Sequence, residues 1–242
     1  MMRSLIAVLA AASLVGCAKK ESPARQLDVA KIEVVNNARL RTDTVGLLHD
    51  MPAFPQNTDR EIKEDRRFAS ESTFVLVDAK NPTSDGAYVT LAGDLTGEGG
   101  VVVGHLKAQS LWIPSGETRT FALIDSERVP RPTTTSARIV VTGALATHDP
   151  PRMHITELHT YVDPTTENDK PVTRIVAQAN VVNDANRIGR AIIIASFHGA
   201  DGRPITRPFQ MQELAANETR ALQFVGPPGS VDGTIFVGDI TY

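Results

Sequence analysis

Histidine and carboxylate side chains are the groups in this sequence best suited to bind a metal ion. His154 and His159 lie five residues apart in a stretch patterned like a strand. Because successive residues of a strand point to opposite faces, we expect these two side chains to face apart and not to share a metal. The acidic segment 163–169 could bind calcium, but it lacks the order of an EF-hand loop, and a solvated polar turn is the simpler interpretation. The sequence therefore predicts no metal site.

Motifs for catalysis are also missing from the sequence. It contains no Gly-x-Ser-x-Gly nucleophile elbow, no His-Glu-x-x-His zinc motif and no Gly-x-x-x-x-Gly-Lys phosphate loop. Asp94 and Glu98 lie near a predicted hairpin and could form a carboxylate pair for acid–base chemistry, yet the sequence offers them no partner. We therefore predict that the protein is not an enzyme and uses no cofactor.

Cys17, the only cysteine in the chain, has the clearest chemical role. It follows Gly16 at the end of an apolar run, residues 5–15, which comes after the positive charge of Arg3. The run is shorter than the about 20 residues that cross a bilayer, but it has the length of a signal-peptide core. Gly16 and Cys17 resemble the lipobox of bacterial lipoproteins. That resemblance implies cleavage after the signal peptide, residues 1–16, diacylglycerol on the Cys17 sulfur and acylation of the new amino group. The alternative is an ordinary signal peptide with a chance cysteine.

The residues after the lipobox indicate how the protein is attached and where. Residues 17–29 are predicted to be a lipidated, flexible tether, because they are polar and offer little to bury. In the Gram-negative sorting scheme an Asp after the lipidated cysteine retains a lipoprotein at the inner membrane. Ala18 at this position favours the outer membrane, facing the periplasm, although the leaflet and the face stay open. The lipid on Cys17 should anchor the chain to its membrane.

The charge pattern argues against nucleic acid as a partner. The formal net charge is −3, and the 25 Lys and Arg residues are scattered along the chain. Surfaces that bind nucleic acid normally cluster their basic residues. With Cys17 lipidated, the mature chain can form no disulfide, so its stability must come from hydrophobic cores.

Short runs rich in β-branched residues recur along the chain, separated by Gly, Pro, Asp and Asn. In the first half they are 74–77, 88–91, 101–103, 120–123 and 138–141. In the second half they are 172–182, 191–197, 208–214, 219–224 and 234–240. Long helical periodicity is absent from the sequence, which therefore predicts an all-β protein.

The two sets of strands look like an internal duplication with an offset of about one hundred residues. Glu-Thr-Arg at 117–119 recurs at 218–220, and Asn81 matches Asn183. About seven strands per 100 residues is typical of an immunoglobulin-like sandwich. We predict two tandem immunoglobulin-like antiparallel β-sandwiches, in residues 30–145 and 153–242. The linker between them, residues 146–152, contains two adjacent prolines that should make it stiff.

The second predicted domain carries a further pattern in residues 192–205 and 214–219. The first of these reads Ile-Ile-Ile-Ala-Ser-Phe-His-Gly-Ala-Asp-Gly-Arg-Pro-Ile, and the second reads Leu-Ala-Ala-Asn-Glu-Thr. The pattern resembles the bacterial FxLYD domain, with Ser196, Phe197 and His198 in place of the defining Leu-Tyr-Asp. The resemblance implies a secreted or lipid-anchored β-sandwich with a non-enzymatic role, and it carries over no active-site residues.

One segment departs from the duplication, because residues 47–70 are longer than their counterpart 163–171. Insertions on a rigid sandwich often carry function. This one mixes apolar and basic side chains that could form a protein-binding tip: Met51, Phe54, Ile62, Arg66, Arg67 and Phe68. The alternative is that these side chains fold back and cover one end of the sandwich.

These features predict a non-catalytic, lipid-anchored envelope protein that binds or scaffolds another envelope protein. The main alternative is a periplasmic lipoprotein that binds a small hydrophobic or carbohydrate ligand in a concave pocket. A third possibility is a hydrolase whose residues meet only in three dimensions. A flat surface would favour the scaffold, an apolar cavity the carrier, and converging histidines and carboxylates the enzyme.

Overall fold

The computed structural model of this 242-residue chain describes residues 24–44, 71–147, 150–167 and 170–241. These residues form antiparallel strands and two short 3-10 turns, Val29–Lys31 and Glu98–Gly100. The strands make four sheets, which pack as two β-sandwiches. The prediction of an all-β fold with tandem sandwiches is confirmed.

The first sandwich is formed by two sheets. One sheet has the order β1-β8-β5-β6, with β1 at Arg25–Gln26, β5 at Ala87–Thr96, β6 at Val102–Ile113 and β8 at Ser136–Ala146. In the facing sheet β4 (Glu71–Lys80) is central, with β7 (Thr118–Ile124) on one side. On its other side lie β2 (Glu33–Val34) and β3 (Arg39–Thr44), which follow one another as a single interrupted edge strand.

The second sandwich repeats this plan. One sheet has the order β14-β10-β9, with β9 at Met153–Glu167, β10 at Lys170–Asn183 and β14 at Thr219–Val225. In the facing sheet β11 (Gly189–Gly199) is central, with β15 (Ser230–Thr241) on one side. Its other side is an edge formed by β12 (Pro204–Thr206) and β13 (Phe209–Leu214). This sheet corresponds to the β8-β5-β6 sheet of the first sandwich, and the β14-β10-β9 sheet corresponds to the sheet centred on β4.

Alternate residues of the strands fill each core, as a period of two requires. In the first sandwich Val75, Val77 and Phe121 are fully buried in one cluster. In the second, Ile193 and Phe197 of β11 are fully buried in another. The sequence runs identified as strands therefore contribute the core residues of both sandwiches.

The two sandwiches share one turn in atomic detail. Asn81 follows β4, Asn183 ends β10, and both side chains are fully buried. Each side-chain amide donates to the carbonyl four residues on, at 2.8 and 3.0 Å respectively. It also donates to a carbonyl at the end of an edge strand, that of Ile113 at 3.0 Å or Leu214 at 3.3 Å. Each side-chain oxygen accepts from the N–H two residues on, at 3.2 and 3.0 Å. The duplication thus extends to hydrogen bonding.

Part of the predicted tether is folded. Strand β1 pairs with the end of β8, and Leu27 is buried in the first core. The Leu27 N–H donates to the carbonyl of Ala144 at 2.8 Å. The prediction of a flexible tether is therefore wrong for residues 25–29. A two-residue strand has no periodicity that the sequence could reveal.

Strand β9 contains both histidines, as expected, but an irregularity within it changes the directions in which they point. Glu157 has φ of +52°, and the pairing of β9 with β10 shifts there by one residue in a β-bulge. As a result His154 opposes Val182 and His159 opposes Gln178, two positions that lie on the same face of β10. The prediction that the two histidines face apart is therefore wrong. Four strand residues still separate them by about 13 Å, too far to share one metal.

The acidic segment is placed differently from its prediction as well. Residues 163–167 belong to β9 and pair with β10, so they are not part of a loop, while residues 168–169 lie outside the described residues. Strong strand pairing across 163–174 overrides the polar composition that favoured a turn. Asp94 lies on β5 and bonds to His105 and Arg138, each at 2.9 Å, and not to Glu98 in the second 3-10 turn.

Several predicted features lie outside the described residues. They are the signal peptide, Cys17 and the candidate binding residues Met51, Phe54, Ile62, Arg66, Arg67 and Phe68. Lipidation and the binding segment therefore stay predictions. Over the described ranges, no helix is long and apolar enough to cross a membrane.

Candidate functional site

The two sandwiches touch through the outer faces of their sheets, in a contact that we call the joint. It is formed by Asn37, Asp78 and Thr120 of the first sandwich and by Ser196, His198, Arg207 and Phe236 of the second. Both faces of β4 and of β11 are buried. Their inward residues fill the two cores, so the burial of their outward residues reflects additional contacts beyond the sandwich that each strand belongs to.

A carboxylate lies at the centre of the joint. Asp78, on the outward face of β4, is 5% exposed. Its Oδ2 accepts from Asn37 Nδ2 at 2.7 Å and from His198 Nε2 at 2.8 Å. Its Oδ1 accepts from the Thr120 hydroxyl. A buried charge is tolerated only when it is paired and hydrogen-bonded, and Asp78 meets this condition with a partner from each sandwich.

The hydrogen bonds continue from Asp78 into the second sandwich. Thr120 Oγ1 lies 2.6 Å from Ser196 Oγ, and both side chains are buried. Since Thr120 has one hydroxyl proton and gives it to Asp78, Ser196 must be the donor in this bond. The cluster therefore runs from His198 through Asp78 and Thr120 to Ser196.

The environment of this cluster shifts both ionisable groups. Burial alone would raise the pKa of Asp78, but the hydrogen bonds from His198, Thr120 and Asn37 and the charge of His198 outweigh burial and lower it. Burial alone would lower the pKa of His198, but the hydrogen bond and charge of Asp78, with the charge of Asp232, raise it overall. Each group thus favours the charged form of the other.

Histidine, carboxylate and hydroxyl groups converge here, yet their order is not that of a nucleophile with its base. In a catalytic triad the histidine lies between the hydroxyl and the carboxylate. In the joint the carboxylate lies between, and His198 Nε2 bonds to Asp78 and not to a hydroxyl. Ser196 is fully buried and bonded to Thr120. This arrangement holds two sandwiches together and does not activate a serine.

Arginines flank the cluster. Arg207 is buried, donates from Nε to the carbonyl of Thr120 at 2.8 Å, and finds no partner for its Nη2 among the described residues. Burial lowers the pKa of Arg207 to about 9, so it remains a cation at neutral pH. Its guanidinium lies 5.7 Å from the centre of the Phe236 ring, and Arg119 lies 5.2 Å from it. The faces of an aromatic ring attract cations, which favours this placement of Phe236.

Further contacts extend the joint at its edge. Arg39 on β3 forms an ion pair with Asp201 at 2.8 Å, and Arg41 donates to the carbonyl of Ile205 at 2.7 Å. Asn37 also donates to the carbonyl of Gly202 at 3.1 Å. The interrupted edge strand of the first sandwich thus binds the hairpin that follows β11.

Two grooves open along the joint, and Glu117 and Thr234 line both of them. The His198 groove has a volume of about 640 Å³ and is lined by Asp78, His198 and Asp232 among others. The Trp112 groove has a volume of about 570 Å³ and is lined by Trp112, Arg119, His154 and Leu158 among others. Ligand pockets generally have volumes of about 300–1,000 Å³, so both grooves are large enough for a small molecule.

Sequence reasoning missed the joint, although the sequence contains a signal for it. Asp78 follows the apolar run 74–77, and Ser196 interrupts the apolar run 191–197. The unbroken apolar runs 74–77 and 191–195 make both faces of each strand apolar, which indicates that the outward face is covered as well. In the sequence His198 stands out only as part of Ser-Phe-His at 196–198, which replaces Leu-Tyr-Asp.

Comparisons with known proteins add no family to this description. No protein-family model matches the chain, and no curated protein matches its sequence. Within the described part of the chain, no group of three or more His, Cys, Asp or Glu residues is arranged to hold a metal ion.

Proposed function

We propose that this chain is a lipid-anchored protein of the cell envelope, held in the outer membrane through Cys17 and facing the periplasm, where it binds or scaffolds another envelope protein without catalysis. The joint is the observation that supports this proposal best. A buried carboxylate with partners from both sandwiches fixes the angle between them and gives the protein one composite surface. A scaffold needs such a fixed surface, because preorganised partners lose less entropy on binding.

The resemblance to FxLYD domains is consistent with this role and remains part of the proposal. Both hydroxyl groups of the joint are used in hydrogen bonds, one within the first sandwich and one between the sandwiches, which suits a structural use of these residues. The segment 47–70 is the proposed contact for the protein partner, because it interrupts the repeat between β3 and β4.

Lipid attachment can be tested directly. Mass spectrometry of the mature protein should find a diacylglycerol-modified Cys17 at its amino terminus. Replacing this residue, Cys17→Ser, should abolish this modified species. A wild-type protein that is soluble after cleavage would contradict the anchor and leave an ordinary signal peptide.

The scaffold role can be tested by crosslinking in the native cells. The intact chain should capture a defined envelope protein, and a variant with segment 47–70 shortened should lose it. Val101→Ser and Val102→Ser change exposed apolar residues elsewhere on the first sandwich and should retain the partner. Equal capture by all variants would exclude 47–70 as the contact, and no captured protein would contradict the scaffold.

A second candidate function is the binding of a small ligand, and the Trp112 groove favours it. This groove combines the aromatic side chain of Trp112 with apolar residues of the second sandwich, including Ile155 and Leu158. Concave sites of mixed lining between two domains are common places for ligands.

A further inference from the structure

The Trp112 groove contains an aromatic side chain held in place by its neighbours. Trp112 ends the outward row of β6 and is half-buried. Its ring centre lies 5.2 Å from that of Tyr88 on the paired strand β5. A Cβ on Gly86 would come within 2.4 Å of the Trp112 ring, so only glycine leaves room for the ring in this position. These contacts fix the ring where it lines the groove.

The opposite wall of the groove comes from the second sandwich. It is formed by the beginning of β9, with Ile155 and Leu158, and by Val237 of β15. Leu158 is 40% exposed although it is apolar. Because the joint fixes the two sandwiches, it also fixes the distance between the tryptophan and this wall.

Two acid–base pairs complete the lining. Arg119 Nη1 lies 3.3 Å from Glu117 Oε2, and His154 Nδ1 lies 3.3 Å from Asp184 Oδ2. Each pair places a hydrogen-bond donor beside an acceptor. Since Arg119 lies beside Glu117 and His154 beside Asp184, the lining does not select a simple anion or a simple cation.

This combination distinguishes between classes of ligand. A lipid-like ligand requires an enclosed and mainly apolar cavity, whereas this groove is open along the joint and has charged side chains on both walls. Pyranose sugars present an apolar face of C–H groups, which stacks on an aromatic ring, and hydroxyls that both donate and accept hydrogen bonds. The lining offers both kinds of contact.

We propose that the Trp112 groove binds a short, neutral oligosaccharide, with one sugar ring stacked on Trp112 and its hydroxyls bonded to the Glu117–Arg119 and His154–Asp184 pairs. The inference deepens the ligand-binding candidate and rests on it. It does not depend on the protein partner or on segment 47–70, so its failure would leave the scaffold proposal intact.

Trp112 is the only tryptophan in the chain, so intrinsic fluorescence reports on this groove directly. Full-length mature protein should be titrated with chitotetraose, cellotetraose and maltotetraose, with calorimetry as a second readout. We expect a saturable change in Trp112 emission with at least one of them. Absence of binding by both methods for all three sugars would overturn the proposal.

Variants separate stacking from general effects on the fold. Trp112→Ala should weaken binding measured by calorimetry by at least about tenfold, as is common when a central tryptophan is truncated. Gly86→Ala keeps the tryptophan but displaces its ring, and should weaken binding as well. Leu145→Ala is the matched control. Leu145 pairs with Tyr88 on the side away from Trp112, and, like Leu158 in the groove, it is an apolar side chain that is 40% exposed. Unchanged affinity in Trp112→Ala would overturn the proposal, and so would equal losses in all three variants.

Discussion

Strands β5 and β11 occupy the same place in the two sandwiches, yet their outer faces have opposite environments. Ala92 of β5 pairs with Val140 of β8, and Ile194 of β11 pairs with Phe236 of β15. Val140 is 46% exposed, whereas Phe236 is 1% exposed. The inward residues of both strands are apolar. The two sandwiches therefore have similar cores but different surfaces.

The neighbouring positions show the same contrast. Asp94 pairs across the ladder with Arg138, and the two form an exposed ion pair. The corresponding pair in the second sandwich is Ser196 and Thr234, of which Ser196 is fully buried at the joint. The ion pair at this position keeps one face in water, because removing both charges from water would be costly, while an uncharged hydroxyl permits docking.

Strands β4 and β10 also occupy equivalent places, but here the outer face of the first sandwich is the buried one. Asp78 and Asn180 each precede the turn asparagine by three residues. Asp78 is buried in the joint, whereas Asn180 bonds to the exposed Glu157 at 2.7 Å. The first sandwich therefore docks through its β4 face and the second through its β11 face. Inward residues specify the fold of each sandwich, and a few outward residues specify how the two sandwiches of the chain pack together.

The largest effect is expected where the two copies differ most in burial. Phe236→Ala should lower the free energy of unfolding by about 3–5 kcal/mol, because it removes a buried ring and its contacts with Arg119 and Arg207. The equivalent change Val140→Ala should cost no more than about 0.5 kcal/mol, since that side chain is largely exposed. Urea denaturation measures both. Similar losses in the two variants would mean that the β11 face is not docked in solution.

A second test breaks the carboxylate cluster. Asp78→Ala should cost about 2–4 kcal/mol, because His198, Thr120 and Asn37 lose their common acceptor within the joint. Asn180→Ala, at the equivalent place on β10, should cost less than about 1 kcal/mol. The proteins can be compared by thermal or urea unfolding. A cost for Asn180→Ala as large as that for Asp78→Ala would contradict the contrast between the two faces.

A third test addresses the asparagine turn that the two sandwiches share. Asn81→Ala and Asn183→Ala should each cost about 2–3 kcal/mol, since each leaves buried backbone carbonyls without a donor. The two losses should agree within about 0.5 kcal/mol if the turns are equivalent. Double-mutant analysis should find the effects additive, because the turns do not share partners. A large difference would show that one turn is supported by contacts that the other lacks.

Features that the two sandwiches share could be predicted from the sequence better than features that only one of them has. Inward alternation and the turn asparagines are local patterns, so the strands of both copies could be predicted from them. The bulge at Glu157 could not be predicted. One additional residue in β9 reverses the face to which every later side chain of the strand points, yet it leaves the composition of the strand unchanged. Asp78 and His198 are 120 residues apart, and their pairing depends on which face of each sandwich packs against the other. Apolar residues on both faces of a strand indicate that a partner exists without identifying it.

The smallest expected effect concerns the charge state of the joint. The pKa of His198 is raised above its usual 6.5, so its contribution to stability is complete below 6.5 and is lost as pH rises through the pKa of the folded form. The pKa of Asp78 is lowered below 3.8, so its contribution is complete above that value and is lost in stronger acid. Both contributions are therefore present between these two values.

Unfolding of wild type and His198→Gln should be compared from pH 4.5 to pH 8.5. Glutamine can still donate to Asp78 but carries no charge, so it isolates the ionic part of the contact. We expect wild type to be the more stable at pH 5 and the difference to shrink above pH 6.5, because neutral His198 loses its charge interaction with Asp78. A difference that grows with pH would show that the joint binds the neutral imidazole. In that case the contrast between Asp78 and Asn180 would arise from hydrogen bonding alone.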